Sequence, residues 1–421
     1  MKTLSALVLA GAILQPFTAC CKSQPETGSA PVPTTVSAAS SAAARVDRLP
    51  ESYTAFGFRL HGRLRAAEPG KNTFISPFSI AVALAMTYNG AQNETKTAMA
   101  STLGIAAMPL DQFNASNTAL IGSLVATSTG ATMKIANSLW ASEGAPFKKE
   151  FIGRTRAAYD AALENVNFLA PDTLGRINGW VRSTTENRID NLVKKDDLNN
   201  ETLLILINAV YFKGVWQEAF KKELTTDRLF HPAAGDAKAL PMMRQQGKIA
   251  CAATEGCQVA ALPYRGTTLS MYLVLPAADS GLDALLKDMT RERWAALTAS
   301  VRKKEGTVVV PKFKAEFEAE LNDALTALGM GIAFDRARAD FWEMAGIKER
   351  ICISKVRHKS FVEINEEGTE AAAATSVGMI RATCVMPAEP PFEMICDRPF
   401  LYAIADKATG LIVFLGTFET P

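Results

Sequence analysis

The sequence predicts an α+β fold in one large domain, and three observations carry that reading. Apolar residues recur at three- to four-residue spacing through much of the first half of the chain. Short β-branched and aromatic runs bounded by Gly and Pro dominate from residue 203 onward. Beyond residue 46 no repeat and no second low-complexity linker interrupts the pattern. With 421 residues, 48% hydrophobic and 21% charged, the chain can bury one large core or two modest ones.

The elements follow in order. Lys2, the apolar run from Leu4 to Leu14, and small residues ending in Phe17-Thr18-Ala19-Cys20 read as an export signal over residues 1–19. The run is too short to span a bilayer as a helix. The residues before Cys20 resemble a bacterial lipobox, in which Cys20 becomes the lipidated first residue of the mature chain. Diacylation there would anchor the protein to a membrane, so it is expected at the outer membrane or cell surface, or in the periplasm or medium if the leader is only removed. Residues 20–46, rich in Ser, Thr, Ala and Pro, cannot offset the entropy of ordering and should form a flexible tether. The folded part is expected over 47–421.

Helical spacing appears over 53–66, where Tyr53, Phe56, Leu60 and Leu64 recur, and over 77–89, which opens on the cap-like Ser76-Pro77. Further helices fit 92–103, 111–127, 148–158, 173–188 and 321–329. Strands fit 203–212, 268–276, 307–313, 360–364 and 411–418. The run at 203–210 is apolar on both faces, as in the middle of a sheet. Asn208 inside it must therefore find buried partners, most simply hydroxyls or a histidine.

Several function classes drop out. Forty-five basic against forty-three acidic residues leave a net charge of +2, too little to steer the chain to nucleic acid. The three histidines, His61, His231 and His358, are scattered and no Cys/His ligand spacing exists, so neither metal nor cofactor is expected. No GxSxG, HExxH, dinucleotide or P-loop pattern supports an enzyme. Of seven cysteines, Cys251 and Cys257 flank AATEG between two β-like runs, a spacing that suits a disulfide across a hairpin in an exported chain.

Four stretches together resemble the serpin family. NTFISPFSIAVALAMTYNGAQNETKTAM (72–99) is similar to the family's second and third helices, and LLILINAVYFKGVW (203–216) to its central-sheet strand and following Trp. FVEINEEGTEAAAAT (361–375) resembles its mobile hinge, and DRPFLYAIADKATGLIVFLGTF (397–418) its C-terminal strand pair. The resemblance implies three β-sheets, eight or nine helices and an exposed reactive-centre loop, here about 366–392, that a target protease cleaves. It assigns Ser76, Ser79, Asn208 and His358 to the polar cluster under the opening point of the central sheet, and Trp216 to the top of that sheet. It implies an irreversible inhibitor of serine, or cysteine, proteases that is a monomer before complex formation.

The loop itself reads as a strand in waiting. Gly368 supplies a hinge between Glu366-Glu367 and Thr369-Glu370. Side chains then alternate with period two: Thr369, Ala371, Ala373 and Thr375 on one face, Glu370, Ala372 and Ala374 on the other. Small uncharged inward groups let such a strand enter a formed sheet without overpacking. The family's spacing from Glu366 places the cleaved bond at Ala382-Thr383, which suits an elastase-like target, or at Arg381-Ala382, which suits a trypsin-like one, with Met379 and Ile380 as further candidates. Cys384 lies beside it. The competing reading is a non-inhibitory cell-surface binding module on the same scaffold.

Overall fold

The computed structural model describes residues 48–126, 130–347, 351–369 and 390–421. Their helices match the spacing: Leu49–Ala67, Pro77–Tyr88, Asn93–Leu103, Leu110–Ala126, Lys149–Tyr159 and Thr173–Thr184. The Pro77–Tyr88 helix starts as its sequence requires. Ser76 Oγ accepts the N–H of Ser79 at 3.2 Å, and Pro77 takes the first position, where no N–H is needed. The region expected as one helix over 321–329 is instead a short turn of helix, Asn322–Leu325, and a wider turn broken at Gly329, where φ is +104°. Two helices, Gly281–Lys287 and Arg291–Ser300, escaped the periodicity reading because each is no longer than three turns.

A six-stranded sheet runs in the order Phe313–Glu320, Lys355–Ile364, Gly368–Thr369, Leu204–Val215, Ala131–Ser142 and Ala162–Val166. A nine-stranded network holds the rest, among them the fully buried C-terminal hairpin Phe400–Asp406 and Ile412–Phe418. The three sheets implied by the resemblance resolve as two hydrogen-bonded networks among the described residues, because one 17-residue strand, Lys238–Thr254, is shared. Its residues 242–251 pair with Arg302–Pro311, and its residues 250–254 pair with 257–261.

Leu204–Val215 is buried along most of its length, and its two faces meet different cores. Leu204, Leu206, Val210 and Phe212 join the main core. Ile205, Ile207 and Ala209 join a second cluster beneath the Thr173–Thr184 helix. Double-sided burial explains why this strand reads as a continuous apolar run.

The expected Cys251–Cys257 disulfide is absent: both thiols are free and buried. A two-residue turn at Glu255-Gly256, with Gly256 at φ +89°, sets a register that pairs Cys257 with Thr254 and Cys251 with Ala260. A pairing of the two cysteines needs a turn centred on Thr254. That residue lies in the ladder, where its hydroxyl sits 3.3 Å from Cys257 Sγ.

Candidate functional site at the opening of the central sheet

Lys355–Ile364 and Leu204–Val215 run parallel, paired from Lys355↔Ile205 up to Phe361↔Tyr211. Above that point they part to admit Gly368 and Thr369. Thr369 pairs with Ile364 on one side and Gly214 on the other, and Gly368 pairs with Val215. The hinge residues therefore already occupy the first rung of an additional strand.

Glycine is required at this rung by space. A Cβ on Gly368 would lie 2.0 Å from the carbonyl oxygen of Gly214 and 2.8 Å from Cα of Val215. Both are backbone atoms that cannot step aside. Gly214 is constrained in turn, since a Cβ there would meet the Tyr264 ring at 2.6 Å.

Aromatic and charged groups hold the entry. Trp216 Nε1 donates to the Asn365 carbonyl at 2.9 Å, and the Trp216 N–H donates to the Glu367 carbonyl at 3.1 Å. The Trp216 ring stacks on Tyr264 at 4.6 Å, and the Tyr264 hydroxyl lies 2.7 Å from that of the fully buried Thr369. Glu366 receives Lys312 Nζ and the Thr225 hydroxyl, each at 3.0 Å. Burial pushes its carboxyl up, but the bonds from Lys312, its own N–H and Thr225 outweigh that and hold it below the usual range. Glu367 pairs with Lys222 at 2.5 Å. Trp216, Glu366, Glu367, Gly368 and Thr369 were legible in the sequence. Tyr264, Lys312, Thr225 and Lys222 were not, because they arrive from strands and turns distant in the chain.

Midway down the same seam lies the second cluster. It brings together Ser76, Ser79, Asn208 and His358, all fully buried. The N–H of Ser76 donates to His358 Nε2 at 3.4 Å, so Nδ1 carries the ring proton and donates to Asn208 Oδ1 at 2.6 Å. Asn208 Nδ2 then donates to Ser79 Oγ and, at 2.6 Å, to Asn137 Oδ1. Ser76 Oγ donates to the Val413 carbonyl at 2.7 Å. Asn137 was missed; its signal is a polar residue inside the β-like run KIANSLW. Asn137, Asn208 and His358 sit directly opposite one another on three adjacent strands. Burial lowers the His358 pKa to about 3, so the ring is neutral and acts as a fixed donor and acceptor.

Glu370, Ala371, Ala372, Ala373, Ala374, Thr375, Arg381, Ala382, Thr383 and Cys384, like Cys20 in the leader, lie outside the described residues.

Comparison with known proteins agrees with this geometry. The family model "Serpin (serine protease inhibitor)" matches residues 51–421. Leukocyte elastase inhibitor of Homo sapiens is 36% identical over 386 residues, covering 89% of this chain and all of that protein. An uncharacterized serpin-like protein of Methanosarcina mazei is 32% identical, covering 87% of this chain and 86% of that one. Among solved structures, native protease nexin-1 with heparin superposes with a TM-score of 0.81 at 28% identity, over 89% of this chain and all of that one. The thermophilic serpin Tengpin in its native state gives 0.81 at 28%, over 89% and 94%. With the family model spanning nearly the whole folded part and Gly368–Thr369 seated in the central sheet, this chain belongs to the serpin family, described as serine protease inhibitors and represented among its relatives by leukocyte elastase inhibitor, a protease inhibitor and not an enzyme.

Proposed function

We propose that this protein is a suicide-substrate inhibitor of serine proteases, with its loop as bait and its central sheet as spring. The observation that carries the reading is the Gly368–Thr369 rung between Lys355–Ile364 and Leu204–Val215. If the strand continued downward in both registers, Thr375 would fall between His358 and Asn208, with its hydroxyl on the inward face where the His358–Asn208 bond now lies. Ala371 and Ala373 would take the inward positions before it, and neither carries bulk that would stall entry.

In the reaction the protease serine oxygen bonds to the carbonyl carbon of the bait residue. The peptide C–N bond breaks, and the amine of the following residue leaves with the proton relayed by the protease histidine. The freed segment then enters the sheet carrying the acylated protease. About a dozen new ladder hydrogen bonds at about 0.5 to 1.5 kcal/mol each rival the stability of an ordinary domain. Distortion of the protease oxyanion hole by that pull would block deacylation. The likeness to leukocyte elastase inhibitor supports Ala382-Thr383 as the bond and an elastase-like target; Arg381-Ala382 and a trypsin-like target is the alternative. Export by residues 1–19, anchoring at Cys20 and a tether over 20–46 would place the inhibitor outside the cytoplasm.

The test is to mix the protein with an elastase and with trypsin. A complex that survives SDS, together with a released peptide whose mass begins at Thr383 or Ala382, supports the reading and identifies the bond. Loop cleavage with no complex and no gain in melting temperature overturns it in favour of a binding module.

A further inference from the structure

The crossover segment from Thr185 to Thr202 is held to the two halves of the central sheet by different forces. Toward one half the contact is apolar: Ile189, Leu192 and Val193 of the crossover pack on Trp140, Ile205 and Ile207 of the Ala131–Ser142 and Leu204–Val215 strands. Among the described residues, that cluster takes no member from Lys355–Ile364. Toward this other half the links are polar. The Asp197 carboxylate, only 2% exposed, receives Arg357 and, at 3.0 Å, Lys355, while Lys359 Nζ donates to the Asp190 carbonyl at 3.3 Å.

We propose that Asp197 with Arg357 and Lys355 forms an ionic latch across the lower seam of the central sheet, whose rupture limits how fast a strand completes its entry between Leu204–Val215 and Lys355–Ile364. The proposal rests on the reading that the loop inserts. An entering strand moves its two neighbours apart by one strand spacing, about 4.8 Å. Asp197 stays with one neighbour, because Thr202 Oγ1 donates to its carbonyl at 3.1 Å just before Leu204 and the apolar cluster binds the crossover there. Arg357 and Lys355 leave with the other, and Lys355 is also tied to Glu320 at 3.0 Å on the Phe313–Glu320 strand beyond. Pairs at contact distance do not survive a displacement of that size.

The latch sits late on the path. Extending the Ile364↔Thr369 register places Arg357 and Lys355 opposite Ser376 and Gly378, below the level of His358. Because the carboxylate is buried, solvent and salt screen the pair little. The crossover also carries three non-glycine residues at positive φ, Glu186 at 53°, Asn187 at 62° and Asn191 at 53°. Such sparsely populated backbone is found in segments that switch.

The test uses the full chain and a synthetic acetylated peptide with the sequence of residues 369–381, whose uptake appears as a population of raised melting temperature. Arg357→Gln should take up the peptide roughly tenfold faster than the unaltered protein, equivalent to about 1.4 kcal/mol off the barrier. Lys314→Gln is the control. It removes the exposed pair with Glu363 at 3.1 Å, whose partners lie on strands that move together, and should leave the rate within about twofold. If Arg357→Gln folds poorly, Asp197→Asn keeps the side-chain shape and gives the same readout. Because Asp197→Asn already removes the pairs with both Arg357 and Lys355, the two changes combined should accelerate uptake no more than Asp197→Asn alone, whereas a general loss of stability would add. Uptake by the unaltered protein with no acceleration in Arg357→Gln overturns the latch alone. No uptake by any variant, with no rise in melting temperature after loop cleavage, overturns the insertion reading and the latch with it.

Discussion

Replacing Gly368 by Ala is the sharpest single perturbation of the hinge. The added methyl would stand 2.0 Å from the Gly214 carbonyl oxygen and 2.9 Å from its carbon, distances no side chain adopts, so residues 368 and 369 must leave the sheet. Leaving forfeits the pairing of Thr369 with Gly214 and Ile364 and its contact with the Tyr264 hydroxyl. The two backbone pairings, at about 0.5 to 1.5 kcal/mol each, give about 1 to 3 kcal/mol. The Tyr264 hydroxyl, left buried and unpaired, adds about 1 to 3 kcal/mol. In a chain of this size the native melting temperature should fall by several degrees. On the proposed mechanism the functional consequence follows from the order of events, since a strand that has lost its first rung would enter more slowly and more acyl-enzyme would hydrolyse before it is trapped. Titration against elastase or trypsin should show the moles of inhibitor consumed per mole of protease rising several-fold. Gly175→Ala, where a Cβ meets nothing within 4 Å, is the control. A Gly368→Ala variant with unchanged melting temperature and unchanged titration would refute the claim that the hinge is seated by close backbone packing and that entry starts there.

Asn208→Ala orphans Asn137, Ser79 and His358 together, and urea unfolding should show a loss of about 1 to 3 kcal/mol for each buried group left unpaired. The same variant should convert to an inserted, inactive form faster on warming, since the bond that entry must break is already gone. His61 and His358 are both held near a pKa of about 3 by burial, well below the ordinary 6.5. Unfolding then takes up protons, so stability present above pH 6.5 should fall as pH drops toward 3, by about 1.4 kcal/mol per pH unit for each ring; urea midpoints at about pH 7, 6 and 5 read the slope, and a flat profile would contradict it. Ala373→Arg puts a charge on the inward face of the entering strand and should turn the inhibitor into a substrate, read as loop cleavage without an SDS-stable complex.

What the sequence made legible depended on whether a residue's need could be stated locally. Asn208 announced itself as a polar group in a doubly apolar strand, and Ser76-Pro77 announced a helix start; both needs are visible within a few residues. Its partners were nameable only through the family resemblance, because Ser79 is 129 residues away and His358 is 150. Asn137 needed a register between two strands that no spacing reveals. The cysteine pair failed for a related reason: a hairpin's register is fixed by its turn, and moving the turn to Glu255-Gly256 leaves Cys251 and Cys257 facing other residues. The clamp on Glu366 was hidden for yet another, since Lys312 and Thr225 look like ordinary surface residues until the fold brings them to one carboxylate.

The arrangement of the seam also argues why entry, once begun, should continue. Below Phe361↔Tyr211 the two central strands are joined by parallel pairing, the weaker of the two ladder types per residue. An entering strand runs antiparallel to both neighbours, as Thr369 already does. Each further residue therefore exchanges one parallel pair for two antiparallel ones, so every step of the zipper is favourable on hydrogen bonding alone. The steps that would resist are local and polar: the His358–Asn208 bond, which Thr375 would replace on that register, and the Asp197 ion pairs, which an inserting segment would have no charge to replace at Ser376 or Gly378. Gly368 and Thr369 hold the first rung, and the next described strand, Phe392–Ile395, is paired parallel to Arg302–Pro311 in the other sheet network. On the proposed mechanism, cutting the chain between those two anchors would release the downhill exchange.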